Sequence, residues 1–71
     1  MGDAEDIYLL RARYEQALAR YEVASSVLNR HVLNRTLANA DELQRERDAR
    51  AVLDSARRSY LEAWKRERDQ P

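Results

Sequence analysis

The chain has no cysteine and no phenylalanine, a single histidine, and one glycine and one proline, at positions 2 and 71. Without cysteine there is no disulfide framework and no thiolate metal site. With both helix breakers at the ends, nothing interrupts the interior. No apolar run approaches the roughly 18 residues of a membrane span, and no signal-peptide pattern appears. The cytoplasm is therefore the expected compartment, with no membrane contact. A charge of one sign is also lacking: 13 basic residues balance 13 acidic ones, which argues against a general polyanion binder. Catalytic equipment is missing as well. Ser25, Ser26, Ser55, Ser59 and Thr36 have only His31 to activate them, and no glycine-rich loop offers a phosphate cradle. The expectation is a chain that is not an enzyme and needs no cofactor or metal.

What is present is helix-forming. Ala, Leu, Arg and Glu dominate the 71 residues, enough for one small domain. Twelve of the 13 bases are Arg. That is a phosphate-binding signal, but a GC-rich genome explains it as readily. Ile7, Leu10, Tyr14, Ala17, Tyr21, Ala24 and Leu28 form a heptad seam in the first half. In the second half Ala49, Ala56 and Ala63 recur every seven residues with Leu53 and Tyr60 between them. Two such seams describe two helices lying against each other.

The first helix is expected over 4–34. Asp3 is its cap, and acids near its start complement the positive helix end. A turn follows at 35–39 and a second helix over 40–68. Asn39-Ala40-Asp41-Glu42 has capping-box form, with Thr36 as a competing cap. Asp69, Gln70 and Pro71 should fray. One unbroken helix is the alternative, since 34–40 lacks Gly and Pro. The heptad phase opposes it. Continuing the first register would place Ala, Val, Ala, Ser and Ala at 49, 52, 56, 59 and 63, whereas a four-residue shift restores Leu53 and Tyr60 to the seam.

Folded at about residue 37, the seams match: Leu10 near Trp64, Tyr14 near Tyr60, Ala17 near Ala56, Tyr21 near Leu53, Ala24 near Ala49. The fold class is thus all-α, an antiparallel coiled-coil-like hairpin with an alanine-rich seam, forming one helical domain over 1–71. The outer surface carries acid-before-base pairs four apart, Asp41/Arg45, Glu46/Arg50, Asp54/Arg58 and Glu62/Arg66.

Apolar residues remain off the seam. Tyr8, Leu9, Val23, Val27, Leu33, Val52 and Leu61 are the candidate partner surface, and a hairpin with such a surplus is expected to dimerise into a four-helix bundle or dock elsewhere. His31 falls at the turn end of the seam, near Glu42 or Glu46. It reads as a partly exposed histidine hydrogen-bonded to Glu46 rather than as a ligand, because no second ligand stands at helical spacing. Tyr14, Tyr21, Tyr60 and Trp64 read as seam residues before they read as base-stacking platforms.

Two functions compete, with a third behind them. The leading one is a non-enzymatic protein-interaction module: a small adaptor, chaperone or regulator of bacterial or phage type, working through a protein partner or itself. The alternative is an RNA- or DNA-binding dimeric bundle, similar in topology alone to a small plasmid-encoded RNA-binding protein, with Arg13, Arg20 and Arg30 as phosphate contacts. It is supported by five Arg against two Glu in residues 11–35, and opposed by five acids against three Arg in 41–54. The third is a coiled-coil segment of a larger assembly. Met1 and the well-formed ends favour a complete small protein.

Overall fold

A computed structural model describes residues 3–69, with side chains from residue 7 to residue 68. Two helices, α1 (Asp3–Asn34) and α2 (Ala40–Asp69), pack against each other as an antiparallel hairpin of 55 × 17 × 16 Å. The expected capping by the Asp3 side chain, and fraying at Gln70 and Pro71, lie outside the described residues. Asp69, expected to fray, is the last helical residue of α2.

The turn follows from local chemistry. The Thr36 amide donates to the His31 carbonyl at 2.9 Å, and the Arg35 amide donates to the Val32 carbonyl at 3.3 Å. This nested pair closes α1 and requires a left-handed residue between helix and link. Arg35 takes that position with φ of 58°, where glycine is the unstrained choice. An apolar contact commonly braces such a closure. Here His31 Nδ1 and Thr36 Oγ1, 2.8 Å apart, take its place.

Four residues on, Asn39 rather than Thr36 caps α2. Asn39 Oδ1 accepts from the Glu42 amide at 2.8 Å, and Glu42 Oε1 accepts from the Asn39 amide at 2.9 Å. The box satisfies two of the orphan donors at the helix start. Asp41 and Glu42 in the first turn, and Arg66 and Arg68 in the last, suit the helix macrodipole.

The expected register is visible along the seam. The rings of Tyr14 and Tyr60 meet at 5.7 Å between centroids, tilted by 44°. Trp64 packs edge-on to Tyr60 at 6.3 Å. Ala17 and Ala56 border one hollow between the helices, and Ala24 and Ala49 border another. The seam is poorly covered, however. Among the described residues only Ile7 and Ala17 are buried apolar side chains. Leu10, Tyr14, Tyr21, Leu28, Leu53 and Tyr60 are half-buried, and Trp64 is 47% exposed.

The surface ion pairs differ from expectation. Of the four pairs foreseen on α2, only Glu46/Arg50 forms within 4 Å, and Glu46 is not a surface residue: it is 5% exposed. The heptad explains this. Glu46 stands seven residues before Leu53, so it occupies the same inward position. An additional pair, Arg11–Glu15, lies on the outside of α1 at 3.0 Å.

Candidate interaction surface

The two seam positions of each helix divide the residues by size. Large side chains hold one (Ile7, Tyr14, Tyr21, Leu28, Leu53, Tyr60), and alanine holds much of the other (Ala17, Ala24, Ala49, Ala56, Ala63). The alanine positions all turn toward the same flank of the hairpin. That flank is consequently hollow. A groove of about 400 Å³ opens there, floored by Ala17, Ala24 and Ala49, flanked by Val23, Val27 and Val52, and rimmed by Arg20, Glu42, Arg45 and Asp48. It runs on into a second hollow of about 450 Å³ that shares Ala17, Arg20 and Val52 and adds Arg13, Gln16, Ser55 and Ala56.

This groove gathers three of the seven apolar candidates. Val23 is 69% exposed and Val52 is exposed beside it, while Val27, expected on the open surface, is half-buried in the groove wall. The other four lie elsewhere. Tyr8 and Leu9 are exposed at the end away from the turn, Leu33 is 82% exposed beside the turn, and Leu61 borders a separate depression with Arg57, Arg58 and Lys65. Of the candidate phosphate contacts, Arg13 and Arg20 stand on the groove rim, and Arg30 is exposed without lining it.

Sequence reasoning missed further exposed apolar residues, Leu18, Val32, Leu37 and Leu43, and Trp64, expected on the seam, is exposed as well. Leu18, Val32, Leu43 and Trp64 share the heptad position next to the large-residue side of the seam. With only two helices, that position has no third neighbour to cover it, and this was the signal available in the sequence.

A polar junction closes the turn end of the seam. His31 Nε2 lies 2.9 Å from Glu42 Oε1, an oxygen that also accepts from the Asn39 amide. A carboxylate only accepts, so Nε2 carries the proton, and Nδ1 faces the Thr36 hydroxyl. The partner of His31 is thus Glu42, which belongs to the helix cap, and not the expected Glu46, which Arg50 holds. The Asn39 amide, and then His31, hold the Glu42 carboxyl below the usual carboxylate range. Deeper in the seam Glu46 accepts from Arg50 Nε at 3.0 Å and Nη2 at 2.6 Å. Arg50 lowers the Glu46 carboxyl, burial opposes this, and Tyr21 of α1 adds to the lowering. Every buried side-chain nitrogen and oxygen among the described residues has a partner. The junction is satisfied and leaves no side chain aimed at a missing ligand.

Among the described residues no three potential metal ligands come together, and no helix is long and apolar enough to cross a membrane. Comparison with protein-family models, with curated proteins and with solved structures finds no match.

Proposed function

We propose that the chain is a non-enzymatic, cytoplasmic protein-interaction module: a helical hairpin that associates with itself into a four-helix bundle and docks on a larger protein. The carrying observation is the imbalance of its apolar residues. Among the described residues two apolar side chains are buried, while eleven large ones are exposed. A soluble domain does not ordinarily leave its surplus so arranged, and contiguous exposed apolar surface marks contact sites. The groove serves self-association in this reading. Tyr8, Leu9, Leu33 and Leu61, outside the groove, serve docking on another protein.

Self-association makes stability depend on concentration. The thermal midpoint followed by circular dichroism should rise on going from about 1 to about 100 µM. A midpoint independent of concentration contradicts the reading. For docking, Leu61→Asp should release a protein captured by the wild type while self-association persists; capture indifferent to Leu61→Asp and Leu33→Asp opposes it.

The placement of Arg13 and Arg20 side by side on the groove gives the nucleic-acid reading one specific support. Phosphate contacts are strongest at low salt, so RNA or DNA bound at low salt and lost with Arg13→Ala and Arg20→Ala would favour it. We expect no such binding, because these rims enclose an apolar floor.

A further inference from the structure

We infer that the groove receives a second copy of the chain with both turns at the same end, so that α1 of each subunit lies along α2 of the other. The inference rests on the self-association proposed above and assigns its face and its symmetry.

The elongated hairpin exposes more surface than a compact monomer of its mass. The chain presents 6155 Å² to solvent, whereas a compact monomer of 8.4 kDa exposes about 4,600 Å². The excess of about 1,500 Å² is more than the roughly 800 Å² each partner contributes to an ordinary stable interface, and lies in the range of obligate homodimers. The groove flank is where a partner fits. Its floor is alanine, its walls are Val23, Val27 and Val52, and the valines of a second copy can enter beside the alanines of the first. The opposite flank has no such hollow: the large seam residues Tyr14, Tyr21, Leu53 and Tyr60 occupy it half-buried, with Leu18, Val32, Leu43 and Trp64 exposed beside them.

Charge selects between the two twofold arrangements that bring these flanks together. With the twofold axis across the hairpin, α1 meets α1, and the rim that carries Arg13 and Arg20 faces its own image. With the axis along the hairpin, α1 meets α2 at the same height. Residues 11–35 carry five Arg against two Glu, and residues 39–63, at the same heights on α2, carry six acids against five Arg, so the net signs are opposite. Within one hairpin the facing pairs Tyr14/Tyr60 and His31/Glu42 set the register. To within a turn, the same heights bring Arg13 level with Glu62 of the partner subunit and Val23 level with Val52 of the partner subunit. Opposite charges across such an interface fix its register and disfavour the other arrangement.

The absence of natural cysteine allows a direct test. Val23→Cys and Val52→Cys chains, purified separately, are mixed, allowed to exchange and oxidised. The mixed 23–52 disulfide should exceed either like-with-like disulfide by about tenfold. Gln16→Cys with Ser59→Cys, at exposed, uncharged positions that leave the packing and the charge pairs alone, should behave in the same way and guards against a misfolded valine variant. Dominant 23–23 and 52–52 links would establish the crossed arrangement and overturn the inference. Little linkage of any kind would show that the groove is not the interface. Sedimentation of the wild type in the same buffer separates the failures. A dimer with the wrong links overturns the face or symmetry alone, and a helical monomer overturns self-association as well.

Discussion

Arg35 holds the sharpest local conflict in the chain. A side chain at φ of 58° pays for closure of α1 with a conformation that glycine adopts freely. Arg35→Gly should therefore raise stability by about 1 kcal/mol, measured by urea unfolding at fixed protein concentration. Asn39→Ala should lower it by about 1 kcal/mol, because the Glu42 amide loses its acceptor. Glu42 and Glu46 set the pH response. Both carboxyls titrate lower in the folded chain than in the unfolded one, so the stability they add is present above the ordinary carboxylate range and is lost as pH falls through their folded values. Unfolding midpoints should be flat near neutrality and drop below about pH 4. Glu42→Gln, which retains an acceptor for the Asn39 amide, should make that drop shallower; an unchanged acid profile would refute the assignment.

At the scale of the helices, the alanine layers decide how closely α1 and α2 approach. Ala17 is buried between the helices opposite Ala56. Ala17→Leu should destabilise the hairpin by about 1–3 kcal/mol through overpacking, whereas Ala19→Leu, on the exposed face of α1, should change little. Thermal unfolding of the two variants compares them directly. Both helices, the capping box and the facing of Tyr14 with Tyr60 were legible in the sequence because heptad phase and turn chemistry are local and agree with each other. Glu46 was not. Its spacing from Leu53 placed it inward, but its charge and the Arg50 one turn on suggested solvent. The structure reconciles the two by burying the carboxylate and leaving the guanidinium half-exposed to solvent beside it. His31 was placed at the correct end of the seam, but its choice of Glu42 depends on that glutamate already being fixed by the cap. The hollow flank was hidden for another reason: alanine repeats signal close packing, and the groove they leave becomes evident only once both seams are seen to turn their alanines the same way.

For the whole molecule, the central claim is that one hairpin holds half of a core. On that proposal, the few buried side chains and the large exposed surface for the mass mark the pair of helices as part of a larger folding unit. Sedimentation equilibrium at tens of micromolar, with helicity checked by circular dichroism in the same buffer, tests this most directly. The account predicts a helical species of twice the 8.4 kDa chain mass, reduced toward a single chain by Val23→Asp and Val52→Asp. A fully helical wild-type chain sedimenting at 8.4 kDa would contradict it.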